Sequence, residues 1–407
     1  MDKVADVRDS AVRPGVRIPI CQPSMSGKEE AYVLEALREN ELSGHGRHIK
    51  EFEERFAAYI GVKHAAFVPN GTIALNLALA SMGVGIGDFV IIPSQTISCC
   101  AFAATSLGAR IIVTDVDADT WCMDINHLEK ALSLAANSPG YNESSKVVVM
   151  PVHVYGGVPC DMNRMSNLRP KFRFGVIEDV CEALGSEYRY EGNIRRLGSI
   201  GNAGCFSFFA NKTLQTGEGG MITTDDPVLI GKIRYLRNNA YGVDPETKFW
   251  AQDQGFNYRP HNLAAAIGLG QMDRINELTD KRTTINCIYR DKLNSVHGKF
   301  TFQEYWTKDC SPVPWMTVVL VPRNEEGESI RGEFMKHMME KGIETRPTFP
   351  PLSQHPYLKK FDVQSTGESI SQYIWENGVI LPSGGDSLTV EVVEEVCYEA
   401  NKFLERV

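Results

Sequence analysis

The chain has 407 residues, 43% hydrophobic and 23% charged, with a formal net charge of -9. Such a chain has room for two domains in contact and the balance of a globular protein. Its acidic charge argues against a broad nucleic-acid or anionic-membrane surface, so an anionic substrate needs a local site. No apolar run approaches the roughly 18 residues of a membrane span.

Residues 1–17 read as a polar tail, because Met1 to Val16 mix Asp, Lys and Arg and lack the apolar core of a secretory signal. Ser26 and Glu29 have capping-box spacing and open an expected helix over 27–39, with Val33, Ala36 and Leu37 as its apolar stripe. A second amphipathic stretch, Ile49 to Tyr59, carries Phe52, Phe56 and Ala57. Between them, His45 and His48 lack a second ligand pair and read as a surface loop rather than a zinc site.

Apolar runs at 88–93, 110–114, 146–152 and 174–178 then predict buried strands, separated by helix- or turn-forming segments such as 127–136 and 161–168. This alternation predicts a large α/β domain with a mainly parallel sheet, placed at 18–275. Residues 262–293 read as one or two long helices. Short strands and helices at 299–306, 315–321, 328–341 and 391–405 predict a smaller α+β domain at 276–407. Ten cysteines are scattered without a CxxC pair, which fits reduced thiols in a cytoplasmic protein.

Three clusters carry chemistry. Asn70-Gly71-Thr72 precedes an apolar helix, and such a turn offers free N–H groups to a phosphate, although it also serves purely structural ends. Asp179 ends a buried strand, where α/β folds place ligand-binding residues. A pyridinium nitrogen would pair with it; a helix cap is the plainer role. Lys212 follows the aromatic strand Phe206-Ser207-Phe208-Phe209 and precedes Gly217-Glu218-Gly219-Gly220. Partial desolvation there would suit an amine that forms a Schiff base, and an exposed loop lysine is the alternative. Phosphate anchor, ring-nitrogen partner and amine are together what pyridoxal 5'-phosphate (PLP) requires.

From Ile18 to Leu404 the chain resembles the sugar aminotransferase family of fold-type I PLP enzymes. The motifs that carry the resemblance are Ile18 to Ser24, Asn70-Gly71-Thr72, His153-Val154-Tyr155-Gly156, Glu178-Asp179 with Glu182 to Gly185, Ser207-Phe208-Phe209, Asn211-Lys212, Gly217 to Gly220, Asn257-Tyr258-Arg259 and Glu344 to Pro347. The resemblance implies that Lys212 binds the cofactor aldehyde and later shuttles a proton, and that Asp179 keeps the ring nitrogen protonated. It implies that Gly71, Thr72 and Ser207 hold the phosphate, with Asn257 reaching it from a neighbouring subunit of a homodimer. Glu182, one helical turn past Asp179, would lie near the ring and the substrate. Arg346 would donate to a pyrophosphate or to sugar oxygens, a structural ion pair being the alternative.

The implied reaction moves the amino group of L-glutamate to C4 of a nucleotide-linked 4-keto-6-deoxy sugar, GDP-4-keto-6-deoxymannose in the first place, with a surface polysaccharide such as an O-antigen as destination. UDP- or dTDP-linked sugars, or a free keto-sugar, are the alternatives. Sugar 3-dehydratases of the same fold usually have histidine in place of the lysine, so Lys212 speaks against that activity. A non-catalytic regulatory protein would leave Asp179, Lys212 and Ser207 unexplained. The chain departs from the family at Ile97, where an aromatic residue usually lies on the ring, at Phe102, where relatives carry asparagine, and at Ser353, where related enzymes often show histidine.

Overall fold

The computed structural model describes residues 15–406 apart from 26, 157–159, 243, 295–299 and 305–308. Its largest sheet runs, in spatial order, His64–Val68, Gly220–Thr224, Ala203–Ser207, Gly175–Asp179, Val147–Val149, Phe89–Pro93, Arg110–Thr114 and Gln364–Ser365. Gly220–Thr224 is antiparallel to both neighbours, and every other adjacent pair is parallel. Successive side chains face opposite layers. Val90, Ile92, Val148, Ile177 and Ile222 pack with helix Gly71–Ser81, while Ile91, Ile112, Val149, Val176 and Met221 pack with Phe52 and Phe56 of helix Arg47–Ile60. Burial on both faces explains why these strands read as continuous apolar runs.

A smaller antiparallel sheet joins Thr301–Phe302, Val318–Leu320, Gly378–Ile380 and Arg346–Pro347. Its core combines Val319 and Val379 with Tyr289, Phe334 and Val396 of helices Ile275–Asn294, Arg331–Glu340 and Val390–Leu404. Ile18 bonds through its carbonyl to the amide of Glu344, and Asp115, at the end of strand Arg110–Thr114, caps helix Ser369–Asn377.

Some local expectations change. Ser26 and most of the polar tail lie outside the described residues, so the capping box is not seen. Helix Lys28–Arg38 starts after Gly27, and Glu29 is buried and accepts from Gln271 at 2.5 Å. The strand expected at 299–306 is seen at Thr301–Phe302, and part of it falls outside the described residues. His48 is not on a surface loop. It is fully buried on helix Arg47–Ile60, where its Nδ1 lies 2.9 Å from the Asn262 amide nitrogen, a partner remote in sequence. Among the described residues, no helix is long and apolar enough to cross a membrane.

Candidate active site

Asp179 and Ser207 end two adjacent parallel strands, paired so that Asp179 lies opposite Cys205. Helix Gly71–Ser81 starts against the same edge. Asn70 caps it by accepting from the amide of Ile73 at 2.9 Å, and the first helical amides, those of Gly71 and Thr72, have no partner within the helix. Gly71 permits this approach: a Cβ there would stand 2.8 Å from Ser207 Cβ and 3.0 Å from Cys181 Sγ. The structure therefore brings Gly71, Ser207 and the Asp179 turn together.

Asp179 is 2% exposed. Its Oδ1 accepts from the amide of Cys181 at 3.0 Å, and its Oδ2 from the thiol of Cys100 at 3.1 Å. A hydrogen bond with Cys99, burial and the charge of Asp179 all push the Cys100 thiol up, so it stays protonated and donates. No helix follows Asp179. Val180 still pairs with the carbonyl of Cys205 at 2.8 Å, which keeps the chain extended there, and turns fill the next residues. Glu182 is thus not one helical turn from Asp179. The turns direct it inward, where its Oε2 accepts from the amide of Tyr155 at 2.9 Å and its Oε1 faces Lys212 Nζ at 3.2 Å. Burial holds the Glu182 carboxyl above the usual carboxylate range, against the pull of the Lys212 ammonium.

Lys212 is no exposed loop lysine, since its side chain is 13% exposed. Its amide closes a turn onto the carbonyl of Phe209 at 2.8 Å, and its ammonium sits 3.5 Å from the centre of the Trp315 ring. Such a cation–π contact is favourable in a desolvated place. Trp315 and Cys100 are site residues that sequence reasoning passed over. Neither carried a local signal, because Trp315 arrives from the second half of the chain and Cys100 looked like one more structural thiol.

Two predicted residues have partners of their own. Asn257 is exposed and forms an isolated bridge with Asn238; within one chain it bonds to none of the site residues. Arg346 is on a short strand, with its guanidinium 3.5 Å from Glu344 Oε1, the ion pair weighed as its structural role. Of the departures, Ile97 is 45% exposed, Phe102 packs edge-on against Tyr357, and the amide of Ser353 donates to Glu368 at 3.4 Å.

The donor set fits PLP: uncommitted amides at a helix start beside a hydroxyl for a phosphate, a buried carboxylate at a strand end for the ring nitrogen, and a shielded amine for the aldehyde. The sequence profile of the DegT/DnrJ/EryC1/StrS aminotransferase family matches residues 23–400. The chain belongs to that family. It is a PLP-dependent sugar aminotransferase of fold-type I. A GDP-perosamine synthase of Caulobacter vibrioides is 40% identical over 341 residues, 84% of this chain and 86% of that one. Another, from Escherichia coli O157:H7, is 35% identical over 390 residues, 95% of this chain and 98% of its own length. The solved PLP form of Spr1654 from Streptococcus pneumoniae superposes with a TM-score of 0.84 at 25% identity, covering 96% of this chain and 99% of that one.

Proposed function

We propose that this aminotransferase moves the amino group of L-glutamate to C4 of GDP-4-keto-6-deoxymannose, giving GDP-perosamine for a surface polysaccharide such as an O-antigen. The observation that carries amino transfer is the shielded Lys212 amine, 3.2 Å from Glu182, at the sheet edge that also holds Asp179. The sugar is inferred from the two relatives named GDP-perosamine synthase, which align over most of this chain.

Bound PLP supplies an aldehyde for the amine and a ring that accepts electrons from the substrate carbon. The chain does the rest. Lys212 anchors the cofactor and then carries the proton to and from the substrate carbon. Asp179 keeps a proton on the ring nitrogen, held in position by Cys100 and the Cys181 amide. The amides of Gly71 and Thr72 and the Ser207 hydroxyl grip the phosphate. Glu182 stays beside the amine and the sugar. Arg346, steadied by Glu344, donates to the pyrophosphate or to sugar oxygens.

The working unit is a homodimer in which Asn257 of the partner subunit completes the phosphate site. Asn257 is exposed within one chain, as a residue serving a neighbouring site would be. The test is a substrate comparison. Enzyme, PLP and L-glutamate are mixed with GDP-, UDP- or dTDP-linked 4-keto-6-deoxy sugars, and the products are identified by mass spectrometry and NMR. The GDP-linked mannose derivative should give the highest kcat/KM and a 4-amino product. An equal or higher kcat/KM with a UDP- or dTDP-linked sugar would overturn the nucleotide assignment and leave amino transfer standing.

A further inference from the structure

Helix Ile275–Asn294 carries Arg282, which is 7% exposed. Its Nη1 donates to the carbonyls of Trp315 at 2.7 Å and Ser383 at 2.8 Å, and its Nη2 to the carbonyl of Asn211 at 2.9 Å. The same Nη2 lies 3.5 Å from the sulfur of Cys21. All these partners are neutral, and among the described residues no carboxylate pairs with Arg282. Gly384 is a glycine for the same reason, since a Cβ there would collide with the guanidinium.

A buried cation held by carbonyls alone bears a desolvation cost that an apolar residue of similar size would not. What the cation organises explains its presence. Asn211 immediately precedes Lys212, and its carbonyl also accepts from the indole nitrogen of Trp315 at 2.9 Å. The ring of that Trp315 faces the Lys212 ammonium. One planar group thus fixes both the backbone before Lys212 and the aromatic surface against its amine.

We propose that Arg282 is a positioning residue for Lys212, an inference that rests on the reading of Lys212 as the amine that binds PLP. Its fork holds Asn211 and Trp315 in register, so the amine stays on the Trp315 ring and within reach of Glu182. Its charge, without a carboxylate partner among the described residues, disfavours a second positive charge nearby. Arg282 acts through Lys212 and touches no reacting atom.

The test uses the PLP-loaded enzyme with Arg282→Gln and Arg282→Lys. The pH titration of the bound-PLP absorbance, kcat, the KM for glutamate and thermal unfolding are measured on each. Glutamine removes both charge and fork. The titration midpoint should rise by about one pH unit, and kcat should fall about tenfold while the KM for glutamate changes less than about threefold. Lysine keeps the charge and loses the fork, so the midpoint should stay and kcat should still fall. A Gln variant that melts earlier but titrates and turns over as wild type overturns the proposal, because Arg282 is then structural only. A Lys variant with wild-type kcat also overturns it, and that result decides the matter if the Gln variant does not fold. Failure of the underlying reading looks different: Lys212→Ala would then keep the wild-type pH-dependent absorbance.

Discussion

Cys100 donates its thiol proton to Asp179 Oδ2 at 3.1 Å, so the carboxylate expected to face the cofactor nitrogen is steadied from the strand side and the helix side at once. The two residues should differ sharply when replaced. Asp179→Asn removes the charge that keeps the ring nitrogen protonated, and kcat should drop by about a hundredfold or more. Cys100→Ala removes one neutral donor, and the loss should stay within about tenfold. Steady-state kinetics at saturating PLP separate them; equal losses would mean that Asp179 works only as a turn residue.

Gly71→Ala should weaken cofactor retention while sparing the fold. The added methyl would meet Ser207 and Cys181 at 2.8 and 3.0 Å, so the helix start must back away from the phosphate position. Equilibrium dialysis should give a PLP Kd raised by about tenfold. An unchanged Kd would place the phosphate elsewhere.

Much of this was legible in the residues. The runs at 88–93 and 110–114 became strands Phe89–Pro93 and Arg110–Thr114, because burial on both faces leaves an unbroken apolar signal. Strand Gln364–Ser365 left none: it is two polar residues whose place is set by strand Arg110–Thr114. Helix Pro227–Arg237, by contrast, has a readable start, with Asp226 as cap and proline at its first position, and was passed over. The site divides in the same way. Lys212 and Asp179 stand in local motifs, whereas Trp315 and Arg282 reach Lys212 only through tertiary packing. The inward turn of Glu182 depends on Val180 continuing its pairing with Cys205, which no periodicity encodes.

Subunit sharing predicts complementation. Lys212→Ala and Asn257→Asp subunits should each be inactive, the second because a carboxylate would face the phosphate. After co-refolding, mixed dimers contain one intact site, so about a quarter of wild-type activity should return. No recovery despite mixed dimers on native mass spectrometry would mean that each site draws both residues from one chain.

Asp115 predicts an acid-dependent stability. It accepts from the amides of Ile370, Ser371 and Val116 and from the Ser371 hydroxyl. Burial alone would raise its pKa, but these donors outweigh burial and hold it below 3.8. The unfolded chain therefore binds the proton more readily. The stabilisation is fully present above the unfolded value and is lost as pH falls through the folded one. Asp115→Ala should cost about 2 kcal/mol near neutral pH. In thermal scans the gap to wild type should shrink below about pH 4; a constant gap would show that the charge contributes nothing.

The most direct measurement is where the cofactor attaches. The PLP-loaded enzyme is reduced with borohydride, digested and mapped by mass spectrometry. A phosphopyridoxyl label should appear on Lys212, and Lys212→Ala should carry none and form no amino sugar from glutamate and GDP-4-keto-6-deoxymannose. A label on any other lysine, or an active Lys212→Ala enzyme, would contradict the account.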